Sequence, residues 1–89
     1  MKAVITVTGK DTKGIIAKVS GKCFEYGANI IDISQSVLKE YFAMVMLVEI
    51  DDLTIKFAEF VDILENLGRD NCLSIQAMHE DIFNSMHRI

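Results

Sequence analysis

Gly9-Lys10-Asp11-Thr12-Lys13-Gly14 is the stretch of this 89-residue chain whose residue types could hold a small charged guest. An apolar run, Ala3 to Val7, leads into it, and an amphipathic stretch, Ile15 to Tyr26, leads out. That reads as strand, tight polar loop and helix start. The N–H groups at a helix N-terminus have no intrahelical partner and favour negative charge. The two glycines can adopt backbone angles closed to other residues. The loop could therefore offer free donors to a carboxylate, with Asp11 as a charged companion. The other reading is a plain connection in which Asp11 or Thr12 caps the helix.

Catalytic chemistry has little to work with elsewhere. His79 and His87 stand eight residues apart with Glu80 and Asp81 between them, and no second pair completes a zinc set. There is no G-x-S-x-G and no P-loop. Ser20 and Ser34 have no evident His and acid to activate them, and Asp51-Asp52 reads as a helix cap. Cys23 and Cys72 form no C-x-x-C and are expected to be small buried residues. The sequence thus predicts no catalytic residue, no metal site and no cofactor.

The elements that position the loop follow from periodicity. Residues 2–8 alternate as a first strand that Gly9 ends. Residues 14–26 place Ile15, Ile16, Val19, Cys23 and Phe24 on one helical stripe, closed by Gly27. Residues 30–38 read as a second strand, with Ile31, Ile33, Gln35 and Val37 on one face and Ile30, Asp32, Ser34, Ser36 and Leu38 on the other. Lys39-Glu40 makes a two-residue turn into a third strand, 41–50, apolar on both faces and so expected to be central. Asp51 to Thr54 offers N-caps for a second helix, 54–67, striped by Phe57, Phe60, Val61, Leu64 and Leu67 and closed by Gly68. Residues 72–79 form a last strand with Leu73, Ile75 and Ala77 on one face. The tail, 80–89, has Ile82, Phe83, Met86 and Ile89 at helical spacing; a helix this short needs a surface to dock on.

Composition bounds what such a chain does. With 51% hydrophobic residues it can fill one core, and some apolar surface is left for a partner subunit. No apolar run approaches the ~20 residues of a membrane span. Met1-Lys2-Ala3-Val4 enters a strand at once, without a signal-peptide core, so a cytoplasmic location is expected. The net charge of −4 is uneven: residues 1–40 carry six Lys against four acids, and 41–89 three basic residues against nine acids. Lys10, Lys13, Lys18 and Lys22 gather near the loop, as an anion attractor or a solvated helix face. The acidic balance argues against nucleic acid. So does the first strand, which lacks the aromatics that base stacking needs.

The order β-α-β-β-α-β is that of the ferredoxin-like sandwich. The fold class is therefore α+β: a four-stranded antiparallel sheet, two helices on one face through right-handed crossovers, and a short C-terminal tail helix. Residues 1–89 read as one domain, with 80–89 docked on the sheet or on a partner subunit.

Val7-Thr8-Gly9-Lys10-Asp11-Thr12-Lys13-Gly14-Ile15-Ile16-Ala17-Lys18-Val19, followed by Gly27-Ala28-Asn29-Ile30, resembles the ACT domain, and more narrowly the free-standing bacterial ACT-domain proteins. Many ACT domains have proline where Lys13 stands; Lys13 keeps the N–H that proline would remove. The resemblance implies a regulatory module that binds an amino acid or similar metabolite, often between paired domains, through the loop after the first strand and the start of the second. Carried over by position, the ligand-binding residues are Gly9, Lys10, Asp11, Thr12, Lys13, Gly14 and Ile15, with Asn29 and Ile30. It further implies a homodimer without catalysis of its own and a separate, unidentified protein partner. The alternative is a structural or protein-interaction domain with a vestigial ligand pocket; a small enzyme and a metal protein using the tail histidines are more distant rivals.

Overall fold

A computed structural model describes residues 1–10 and 14–86. Strand β1 (Lys2–Lys10), helix α1 (Ile15–Tyr26), strands β2 (Asn29–Leu38) and β3 (Tyr41–Glu49), helix α2 (Phe57–Asp70), strand β4 (Ser74–His79) and helix α3 (Glu80–Met86) follow in that order. The strands lie side by side as β2-β3-β1-β4, and every neighbouring pair is antiparallel. This is the expected ferredoxin-like sandwich, with α1 and α2 over one face and the short helix at the C-terminal end.

Alternation in the two central strands builds the core. Ala3, Ile5 and Val7 of β1 are wholly buried, as are or nearly are Met44, Met46 and Val48 of β3. They meet Ile15, Val19 and Cys23 of α1 and Phe60 and Leu64 of α2, each set spaced by four residues along one helical stripe. Tyr26 and Phe60 join the two helices edge to face, ring centroids 6.4 Å apart. Val4 points to the opposite face yet is only 4% exposed and stands outside the main core. Helix α3 packs on β1 and β4.

Several elements differ from the sequence expectation. Gly9 does not end the first strand; pairing continues through Gly9↔Phe42 to Lys10↔Tyr41. Phe24 leaves the buried stripe and is 89% exposed, because α1 lies along the β2 edge, where no further layer meets it. Strand β2 carries a bulge between Ile30 and Asp32. The extra residue, Ile31, turns Ile30 to the helix side opposite Val48, while Asp32 to Leu38 keep the expected faces. Asp51 to Thr54 caps nothing. Leu53 and Ile55 turn inward against the core, Thr54 gives its N–H and hydroxyl to the Tyr26 carbonyl, and α2 starts at Phe57 with Lys56 at its N-cap.

Gly68 lies inside α2, which runs on to Asp70 and is capped by Asn71. A Cβ at Gly68 would stand 2.7 Å from the Leu73 carbonyl oxygen, so glycine is there to let β4 approach the helix. Cys72, expected inside, is exposed at the left-handed turn (φ 58°) between α2 and β4. Strand β4 accordingly starts at Ser74, with Leu73 and Ile75 buried as predicted. His87 and Ile89 of the tail lie outside the described residues.

Gly27 does close α1 as expected. It is left-handed (φ 82°), and the Ala28 N–H reaches the Cys23 carbonyl at 2.8 Å. A Cβ there would also come within 2.4 Å of the Asp52 carbonyl oxygen. Gly27→Ala should therefore lose more than the ~1–2 kcal/mol of a left-handed L-residue. Urea denaturation should show a lower midpoint, and a midpoint equal to wild type would refute this account of the turn.

Candidate functional site

The site begins where β1 leaves the sheet. Strand β1 is hydrogen-bonded on both sides, to β3 and β4, so its end is fixed. Gly9 sits against the residue that leads into β4: a Cβ on it would meet the Leu73 side chain at 2.4 Å. Lys10 pairs with Tyr41 in the ladder, and its ammonium lies 3.8 Å from the Glu40 carboxylate, both groups largely exposed. Across the loop, Gly14 is left-handed (φ 81°) and occupies the N-cap of α1, where it offers no side chain to the first-turn amides. No acidic residue stands in that first turn. Ile15 is buried and anchors the helix start in the core. Asp11, Thr12 and Lys13 lie outside the described residues. The loop is thus held by two rigid ends, a paired strand and a packed helix.

Beside this end of the sheet is a hollow of about 390 Å³. Thr8, Ser36 and Ala43 line it in one row across three strands; Gly9, Leu38, Tyr41 and Phe42 complete it. The surroundings are mostly apolar with a few hydroxyls. Of these residues only Gly9 was expected from the sequence. The others belong to strands whose alternation was legible, but the row they share depends on register, which no local motif marks. Tyr41 is the one aromatic on the outer face of the strands, too few for a base-stacking platform.

Asn29 and Ile30 stand elsewhere. Asn29 pairs with Glu49 and Ile30 with Val48, whereas Gly9 pairs with Phe42. Seven residues along β3 separate these positions, roughly 23 Å at ~3.3 Å per residue. Within one chain the two groups of expected ligand residues lie at opposite ends of the sheet. The Asn29 end has its own hollow, about 440 Å³, beside Lys2, His79, Glu80, Asp81 and Ile82. His79 stacks there on Phe57, ring centroids 4.4 Å apart.

Two of the cations near the loop, Lys18 and Lys22, have partners within the fold. The Lys18 ammonium donates to the Asn71 side-chain Oδ1 at 2.6 Å, and the Asn71 Nδ2 donates in turn to the Leu67 backbone carbonyl. Lys22 lies 3.9 Å from Glu25. Among the described residues no group of three or more His, Cys, Asp or Glu side chains could hold a metal ion.

The ACT domain family model matches residues 2–77. The chain belongs to the ACT domain family. It is 48% identical to a UPF0237 protein of Clostridium perfringens over 89 residues, which is the full length of both. Among solved structures it is similar to an ACT domain protein from Streptococcus pneumoniae, with a TM-score of 0.80 and 45% identity over 98% of each chain. A putative glycine cleavage system transcriptional repressor matches with a TM-score of 0.70 and 26% identity, over 86% of this chain and 44% of its own. ACT domains are regulatory ligand-binding modules.

The two thiols separate chemically. Burial pushes the Cys23 thiol from 9.0 up to about 11, so it stays protonated and inert at neutral pH, while Cys72 is exposed. A thiol reagent at pH 8 should titrate one cysteine quickly and the second only on unfolding. Because the folded-state value is raised, Cys23 adds stability that is full below pH 9 and lost between pH 9 and about 11. Cys23→Ala should flatten that alkaline decline in urea midpoints, and an unchanged decline would assign it to other groups.

Proposed function

We propose that this ACT domain is a cytoplasmic sensor of an amino acid or a closely similar small metabolite. It works as a homodimer, performs no catalysis of its own, and passes its state to a separate protein. The observation that carries the reading is the end of β1. An ACT-type loop spans two fixed anchors, the Lys10–Tyr41 ladder pair and the left-handed Gly14, and the helix it enters has neither a capping side chain on Gly14 nor an acid in its first turn. Such an end has positive electrostatic character and suits a carboxylate.

In this reading Gly9, Lys10, Thr12, Lys13, Gly14 and Ile15 shape the loop and its donors, and Asp11 takes the ammonium group. Asn29 and Ile30 act from a second subunit, since their own chain holds them at the far end of the sheet. The Asn29 amide both donates and accepts, which suits a zwitterion. Regulation is linkage: a guest that touches two subunits shifts the dimer only as far as it favours one arrangement over another. The regulatory part is supported by one structural neighbour, a putative glycine cleavage system transcriptional repressor.

Isothermal titration against the twenty amino acids tests this directly. At least one should bind. Asp11→Ala should then weaken it roughly tenfold to a hundredfold, the loss of one charge-assisted bond of ~1.5–3 kcal/mol, with no change in melting temperature. Silence across the set from a folded dimer would leave the alternative, an interaction domain with a vestigial pocket.

A further inference from the structure

Helix α2 turns a charged flank toward the β4 edge of the sheet. Its buried stripe is Phe60, Leu64 and Gly68; the residues one step on, Val61, Glu65 and Arg69, keep the same four-residue spacing. Glu65 and Arg69 line a groove of about 270 Å³ beside β4, together with the buried Leu73 and Ile75 and the exposed Ser74 and Gln76. Strand β4 pairs with β1 on one side and ends the sheet on the other, so its outer side carries backbone N–H and C=O groups open to another strand. Glu65 and Arg69 are both exposed and four residues apart, the spacing of a helical ion pair. Among the described residues they nevertheless form no ion pair with each other, and Arg69 donates to the Asn66 side-chain oxygen instead.

We propose that this edge receives an extended peptide of another protein as a fifth strand, antiparallel to β4, with an acidic side chain beside Arg69 and a basic one beside Glu65. The spacing selects such a peptide. Alternate residues of a strand stand ~6.8 Å apart, and residues four apart on a helix ~6 Å. Each helix-side residue of an added strand therefore meets the next member of the α2 flank. Two contacts fix the register. A Cβ on Gly68 would stand 3.0 Å from Ile75 Cγ1, which puts Arg69 beside Ile75. Phe57, at the start of α2, stacks on His79, so the helix runs antiparallel to β4 and Glu65 comes next to Gln76 and Ala77. Ile75, Ala77 and His79 pair with Val7, Ile5 and Ala3 and so share the helix side. An antiparallel strand passes His79, Ala77 and Ile75 in that order. The sequence it needs is apolar-x-basic-x-acidic, with the apolar residue toward Val61.

The occupant comes from another protein because β4 itself lacks the pattern. On the helix side a second β4 would offer Ile75, Ala77 and His79, without an acid for Arg69. In strand addition the main chain supplies affinity and the alternate side chains supply selectivity. Exposed charge pairs each contribute little, so the contact is weak and reversible. The inference goes beyond the sensor reading: it gives the separate protein of that reading a docking place, and it does not depend on the loop.

Peptide titration followed by backbone amide NMR tests the proposal. The probe is acetyl-Thr-Val-Thr-Lys-Thr-Glu-Thr-amide, compared with its isomer in which Lys and Glu are exchanged. The probe should shift the amides of Ser74 to Met78 together with those of Glu65 and Arg69. It should bind roughly fivefold or more tightly than the isomer, which meets like charges at both positions. In the folded double variant Glu65→Arg, Arg69→Glu the preference should reverse. Equal binding of the two peptides, an unreversed preference in the double variant, shifts gathered on β2, or no shifts at millimolar peptide would each overturn the proposal. Shifts on β4 that grow with protein concentration in the absence of peptide would overturn it as well, since they mark a second copy as the occupant. The titration contains no amino acid, so a failure here leaves the sensor reading standing, and a silent loop in calorimetry leaves this edge standing.

Discussion

Strand β1 is bonded on both flanks, and the geometry of everything near the loop depends on that. Its inward residues Ala3, Ile5 and Val7 are completely buried, and its ladder partners run without a break from Lys2↔Glu49 to Lys10↔Tyr41. A strand held in this way cannot slide, because a one-residue shift would bring Val4 and Thr6 into the core and expose Ile5. The end of β1 is therefore a fixed point. On the far side of the loop, Ile15 fixes the start of α1 by the same means. Two such anchors fix where the connection between them leaves and rejoins the sandwich, as a rigid scaffold does for a binding loop.

The scaffold was legible in the sequence because its signals are local and repeated. Alternation in residues 3–7 and 42–48, four-residue spacing in both helices and the cap at Gly27 each restate the same fold. What was not legible comes from contacts between segments distant in sequence. Gly68 looks like a helix stop, and only the approach of the Leu73 carbonyl explains why the helix passes through it. Phe24 fits the apolar stripe by spacing, but a stripe does not say how far the neighbouring layer extends. The bulge at Ile31 is likewise silent, since three apolar residues in four, Ile30, Ile31 and Ile33, fit either parity. Cys72 belongs with these: its composition suggests burial, while the chain reversal after α2 turns it outward.

The candidate site divides in the same way. The loop was found because glycines, a charge and a helix start stand together in sequence. The hollow beside it was missed because Thr8, Ser36 and Ala43 are unremarkable strand residues that become one surface only through the β2–β3–β1 register.

Topology imposes a stronger condition on the ligand than any single residue does. Strands β1 and β2 are both antiparallel to β3, so they run parallel to each other. In a right-handed β-α-β crossover the helix returns the chain to the starting side of the sheet. The end of β1 and the start of β2 must then lie at opposite ends, whatever the side chains are. A guest that needs both the loop at Gly9–Gly14 and the amide of Asn29 cannot be satisfied by one copy of this fold. Either a second copy supplies one of the two groups, in which case ligand binding and association are thermodynamically coupled, or the two groups serve different purposes.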